Sequence, residues 1–149
     1  TTRGPRGERN VMAVGWFAVA SDEPPMFVLG IDSGAYTYEL IRKTKEFVVA
    51  FPSEKMGPAT LHAGTCHGCG RDKLKEARIA TQKATIIKAP LVADAVANFE
   101  CRLVKIYQPG DCPLIVGQVV QAHMNRKAAL KRLYTVAPGH KLAGIRREK

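Results

Sequence analysis

Short runs of β-branched and aromatic residues, each stopped by proline, glycine or aspartate, recur along most of this chain. That rhythm constrains the fold more than any other feature, because period-two runs between turn residues read as strands, whereas long 3.6-period stretches would read as helices. The residues "NVMAVGWFAVAS" (10–21) predict a long strand, "SDEPP" (21–25) a turn, and "MFVLGI" (26–31) a second strand. "EFVVAFPS" (46–53) predicts a strand ended by Pro52, and "KATIIKAP" (83–90) predicts another. In "NFECRLVKIYQ" (98–108) the alternation slips once, which places a bulge near Val104. "PGDCP" (109–113) is a turn, and "LIVGQVVQAHM" (114–124), apolar at both phases, predicts a strand buried on both faces.

Helical patterns are few and short. "GAYTYELIRKTK" (34–45) sets Tyr36, Leu40, Ile41 and Thr44 on one face, with Ser33 or Thr37 as the capping hydroxyl. "DKLKEARIA" (72–80) is a short helix with Asp72 at its cap, and a last helical piece is expected near 126–134. Many strands with a few small helices, not alternating regularly, argue for a mainly β architecture and against a doubly wound parallel sheet. The 149 residues suit a single domain, 1–149.

Composition narrows the function. No apolar run is long enough to cross a bilayer, and the polar start "TTRGPRGERN" is no signal peptide. Four cysteines, 66, 69, 101 and 112, are too few to staple a domain of this size, so they are read as reduced and the protein as cytoplasmic. A net charge of +10 suits anionic partners, such as phosphorylated cofactors. No nucleic-acid-binding motif accompanies that charge, so neither nucleic acid nor membrane is expected as a partner.

The chemistry concentrates in "GTCHGCGRDK" (64–73). Zinc needs four N or S ligands; Cys66 and Cys69 give two, and His62, His67, Cys101 or Cys112 would have to supply the others. A dithiol role for Cys66 and Cys69 is the second reading, since Cys69 lies just before a helix start. The third uses the backbone. Gly64, Gly68 and Gly70 let the main chain approach a flat ligand, Lys73 adds positive charge, and Ser33, Tyr36 and Thr37 cluster donors at another helix start. No G-x-S-x-G or ordered triad marks side-chain catalysis, and no catalytic residue is assigned.

The order of these pieces resembles the flavin reductase-like, FMN-binding split-barrel family, in its flavoredoxin branch. The matching segments are Asn10, Met12 and Trp16 followed by "ASDEPP" (20–25), then "YTYELI" (36–41), "EFVVAFP" (46–52), "GTCHGCGRDK", "FECRLVKIY" and "LIVGQVV". Their order spans nearly the whole chain. Five positions depart from the family pattern: His67 stands where Ser is usual, Ala50 where Asn is usual, Asp32 where Arg or Lys is common, and Ala18-Val19 for Thr-Pro. The resemblance implies a six-stranded antiparallel Greek-key split β-barrel, with a first strand ahead of Thr1. It further implies a homodimer binding one FMN per subunit near the interface, with NADH or NADPH as hydride donor and a possible redox partner protein. By the same analogy Asn10 and Met12 belong to the cofactor site. The backbone from Trp16 through Ala18, Val19 and Ala20 to Ser21 lies along the ring, Ser33, Tyr36 and Thr37 reach the phosphate, and His67, Gly68 and Lys73 close the other side. The implied activity is NAD(P)H-dependent reduction of FMN at N5, with electrons passed on to an acceptor. The alternatives are a non-catalytic FMN carrier and a thiol or zinc redox protein built on Cys66 and Cys69.

Overall fold

A computed structural model describes residues 1–126 and 130–144. It opens with a two-residue hairpin, β1 (Thr2–Arg3) and β2 (Arg9–Asn10). Strands β3 (Phe17–Asp22) and β4 (Pro25–Gly30) precede helix α1 (Tyr36–Thr44) and strand β5 (Glu46–Pro52). A 3-10 turn at Glu54–Met56 leads into α2 (Gly57–Thr65), and α3 (Lys73–Glu76) follows. The short strands β6 (Thr81–Gln82) and β7 (Leu91–Val92) flank an irregular loop before the two long strands β8 (Ala95–Tyr107) and β9 (Leu114–Met124). The hairpin β10 (Leu133–Ala137) and β11 (Lys141–Gly144) completes the described chain.

The main sheet is antiparallel throughout, in the order β3-β4-β9-β8-β5. It has five strands rather than six, and it does not close into the expected barrel: β3 and β5 are its edges and do not pair with each other. The sheet curls far enough to set Phe17 of β3 and Phe51 of β5 with ring centroids 5.6 Å apart, so side chains rather than a hydrogen-bond ladder fill the gap. The Arg132 guanidinium stacks there too, 4.1 Å from the Phe51 centroid. The outer side of β5 is engaged elsewhere: Val48 N–H donates to the Thr1 carbonyl, and Ser53 bridges to Arg132. The hydrophobic core, Phe27, Leu29, Ile31, Tyr38, Ile41, Phe47, Cys101 and Ile115, lies between the curled sheet and α1. Gly117 is required within β9, because a Cβ there would sit 2.2 Å from Phe47 Cζ.

The strand expectations hold for 114–124 with both ends unchanged, and for 26–31, 46–53 and 98–108 with ends moved by at most three residues. The register of β8 against β9 shifts between Leu103 and Lys105, which places the bulge at Val104. In β9, Ile115 and Gly117 are buried while Val116 is only half-buried, so one face lies in the core and the other is partly exposed. Other expectations fail for identifiable reasons. Of the 10–21 segment, Asn10 belongs to β2 and 17–21 to β3, while residues 11–16 lie outside the strands and 11–15 line a cavity. The cap of α1 is Ala35, without a side-chain bond; Asp32 supplies the turn, its Oδ1 accepting from Gly34 N–H at 2.6 Å.

Residues 83–90 are irregular rather than a strand because the buried Glu100 carboxylate collects their amides. Thr85, Ile86 and Ile87 N–H donate to it at 2.7, 2.7 and 2.9 Å, and His123 Nε2 lies 2.6 Å from the same group. A carboxylate with no exposure is tolerable only when its lone pairs are met in this way. Of the helix expected near 126–134, residues 127–129 lie outside the described residues, and Leu133 and Tyr134 belong to β10. No helix among the described residues is long and apolar enough to cross a membrane.

Candidate functional site

Three segments converge between α1 and the α2–α3 connection: the end of β2, the start of α1 and the glycine-rich loop. They enclose a cavity of about 200 Å³ lined by residues including Asn10, Met12, Tyr36, Thr37, His67, Gly68 and Lys73. These seven were all expected in one site from the sequence, and the fold brings them together although they lie up to 63 positions apart. A second cavity of about 310 Å³ shares Met12, Thr37 and Ala63 with the first and extends past Phe17 and Phe51 to Arg132 and Tyr134. Together they reach the size range of small-molecule and cofactor sites, roughly 300–1,000 Å³.

Each lining group is held by its own contacts. Asn10 is 1% exposed, and its Nδ2 donates to Thr37 Oγ1 at 2.7 Å. Its Oδ1 is buried without a hydrogen-bond partner, so the cavity holds an unmet acceptor. Gly68 packs directly against that amide: a Cβ there would meet Asn10 Oδ1 at 2.1 Å and Tyr36 Cδ1 at 3.2 Å. Only a glycine lets the loop close to this distance. His67 is oriented from both nitrogens, with Nδ1 accepting from Cys69 N–H at 3.3 Å and Nε2 lying 3.4 Å from the Gly34 carbonyl. That pairing sets the Nε2–H tautomer and ties the loop to the start of α1. Burial raises the Tyr36 hydroxyl above its ordinary range, with nearby Glu8 adding to the effect.

Lys73 lines the cavity but does not point a free charge into it. It is 3% exposed, and its Nζ donates to the Ala63 and Cys66 carbonyls at 2.9 and 2.8 Å, closing the C-terminal end of α2. Burial pulls its pKa down, and the neighbouring Cys66 sulfur partly offsets this. Trp16, Ala18, Val19, Ala20, Ser21 and Ser33 lie outside the smaller cavity's lining. Trp16 is 69% exposed and Val19 67% exposed, beside and on the uncovered edge strand β3. Ala20 is the extra residue of a bulge, where the register slips between Val19 and Ser21. Ser33 is an exposed turn residue.

Sequence reasoning missed α2, whose Ala63, Gly64 and Thr65 form one wall. The signal was Pro58 at the first turn of "GPATLHAGT", a favoured place for proline in a helix. It also missed Arg132, whose segment carried a helical pattern. Among the described residues no group of three His, Cys, Asp or Glu side chains is placed to hold a metal ion, which leaves Cys66 and Cys69 without the further ligands zinc requires.

A family model described as "Flavin reductase like domain" matches residues 1–138. The chain belongs to that family. An uncharacterized Archaeoglobus fulgidus protein is 32% identical over 82% of this chain and 68% of its own length. The matched part of this chain covers 68%, 64%, 61% and 43% of the length of four curated relatives. In fold, this family member is similar to flavoredoxin of Desulfovibrio vulgaris (Miyazaki F), with a TM-score of 0.88 and 16% identity, covering 99% of this chain and 85% of that one. It is similarly close to the FMN-binding protein of Thermus thermophilus, with a TM-score of 0.81 and 23% identity, covering 95% and 82%.

Proposed function

We propose that this chain binds FMN across the two connected cavities and reduces it with a nicotinamide donor, passing the electrons to an acceptor. The observation that carries the proposal is the convergence of Asn10, Tyr36, Thr37, His67 and Gly68 on one cavity in a chain of the flavin reductase family. The residues suit such a ligand. The unmet Oδ1 of Asn10 calls for a donor, which a ribityl hydroxyl or a ring N–H supplies. The larger cavity offers Phe17, Phe51 and Met12 as apolar wall for a flat ring system. Arg132 at its far end, and Tyr36 and Thr37 at the shared end, are the candidates to hold the phosphate and ribityl chain.

Bound FMN would supply hydride acceptance at N5, which is why the chain needs no nucleophile or general base of its own. The residues hold, orient and shield. Gly68 permits close approach of the loop, His67 fixes that loop against Gly34, and Met12 and Phe17 exclude water from the ring. Ala18, Val19, Ala20 and Ser21 line neither cavity, and their strand β3 has a paired neighbour, β4, on one side only.

That uncovered edge also supports a homodimer. Trp16, Phe17 and Val19 expose apolar surface together at β3, the kind of patch that a second copy covers. Titration of the purified protein with FMN tests the binding; a quenched flavin fluorescence at one equivalent per chain is expected, and unchanged free-flavin emission would refute it. Anaerobic addition of NADH or NADPH then tests the reductase step by bleaching of the flavin band, which a non-catalytic carrier would not show.

A further inference from the structure

We propose that Cys66 is a nucleophilic thiol, activated by a His62–Glu76 relay, that exchanges with low-molecular-weight disulfides. Cys66 Sγ lies 3.8 Å from His62 Nδ1, within range of a hydrogen bond to sulfur. The other nitrogen of the same ring, Nε2, is 3.1 Å from Glu76 Oε2. Glu76 is clamped by Arg71, with Nε to Oε1 at 3.1 Å and Nη2 to Oε2 at 2.8 Å. Nucleophile, base and orienting carboxylate are therefore in sequence, with the carboxylate itself held in place.

The tautomer follows from this chain of contacts. The Arg71 hydrogen bond, and then His62, hold the Glu76 carboxyl below its ordinary range despite partial desolvation, so it is ionised and accepts. His62 must then carry its proton on Nε2, which leaves the Nδ1 lone pair facing the thiol. Nδ1 is placed to take the S–H proton during attack, and the Arg71 guanidinium and the Lys73 ammonium carry positive charge near that sulfur. The other cysteines differ. Burial pushes Cys101 up to about 12 and raises Cys112 as well, while Cys69 is exposed without such a relay.

The ligand class comes from what surrounds the sulfur. Cys66 lines the 200 Å³ cavity, which admits a small molecule and not a folded protein's disulfide. Asn10 lines the same cavity, whereas the Arg71 guanidinium is held on Glu76 and lies outside that lining. In the exchange, the thiolate attacks one sulfur of the disulfide and a new Cys66–sulfur bond forms as the old S–S bond breaks. The departing thiolate takes the proton from His62. One disulfide is consumed and one is made, so no outside oxidant or reductant is needed. The exchange uses the cavity of the flavin-free chain, where it is tested separately from the flavin binding proposed above.

The test uses oxidised glutathione with the intact chain, mapping mixed disulfide at Cys66 and Cys69 by peptide mass spectrometry at pH 6.5. Cys66 is expected to react on the order of tenfold faster than Cys69. His62→Gln is expected to remove that advantage and to leave a rate that climbs about tenfold per pH unit below the thiol's titration. Equal rates at the two cysteines, or a Cys66 rate that His62→Gln leaves unchanged, would overturn the proposal. Should that variant fail to fold, Glu76→Gln in the same assay decides: loss of the Cys66 rate advantage supports the proposal, and an unchanged advantage overturns it.

Discussion

Replacing Gly68 by alanine adds one methyl group at the tightest contact of the site. The new Cβ would stand 2.1 Å from Asn10 Oδ1 and 2.8 Å from Asn10 Cγ, whereas unstrained carbon contacts lie at about 3.5–4.0 Å. Something must move by about 1 Å or more. Asn10 cannot yield freely, since it is 1% exposed and bonded to Thr37 at 2.7 Å. Overpacking costs about 1–3 kcal/mol, and loss of the Asn10–Thr37 bond adds about 0.5–1.5 kcal/mol. A destabilisation of about 2–4 kcal/mol is therefore expected, or a Tm lower by about 5–15 °C for a chain of this size. FMN affinity should fall as well, because the methyl group occupies the floor of the cavity.

The control is Asn10→Ala, which removes the obstacle. In a thermal-melt cycle the double variant Asn10→Ala/Gly68→Ala should be more stable than the sum of the single effects by about 1–3 kcal/mol. A Gly68→Ala protein that melts within about 2 °C of the parent, or a cycle with no coupling, would refute the close approach of loop and amide.

Glu100→Gln keeps the shape but turns one acceptor into a donor facing backbone N–H groups, so urea unfolding should show a loss of about 2–4 kcal/mol, and hydrogen exchange at Thr85–Ile87 should accelerate. Burial raises the Glu100 pKa, but the bonds from Thr85, His123, Ile86 and Ile87 outweigh it and leave the group below its ordinary 4.5. A depressed folded pKa means stability that is present above about 4.5 and lost as pH falls through the folded value; melts between pH 5 and 3 should show this slope in the parent and lose part of it in Glu100→Gln. Trp16→Ala, at a site 69% exposed, should change Tm by little but weaken self-association in analytical ultracentrifugation. Lys73→Met keeps the buried stem and removes both bonds to the Ala63 and Cys66 carbonyls, so amide exchange across 64–70 should accelerate while β8 and β9 stay protected.

The sequence by itself determined the local pieces. Short apolar runs stopped by turn residues mark the strands at 26–31, 46–53 and 114–124, and a single slip of phase marks the bulge at Val104. Asp72 caps α3 as its position demands, its side chain accepting from Lys75 N–H. The family pattern gathered Asn10, Tyr36, Thr37, His67, Gly68 and Lys73 into one site, and the fold does place them around one cavity. Those features are legible because they depend on neighbours a few residues away, or on motifs whose order is fixed.

The tertiary structure decided what depends on distant partners. Residues 83–90 look like a strand by composition, but a carboxylate fifteen positions from Thr85 draws their amides away from any ladder. Sheet closure is decided by whether two edges meet within hydrogen-bond reach, and here Phe17, Phe51 and Arg132 occupy that gap. Lys73 reads as a free cation and becomes a buried clamp on two carbonyls, because the C-terminal end of α2 lies beside it. The Cys66–His62–Glu76–Arg71 relay spans two helices and the turn between them, so no sequence period announces it. Only the packing of α2 against α3 fixes its distances.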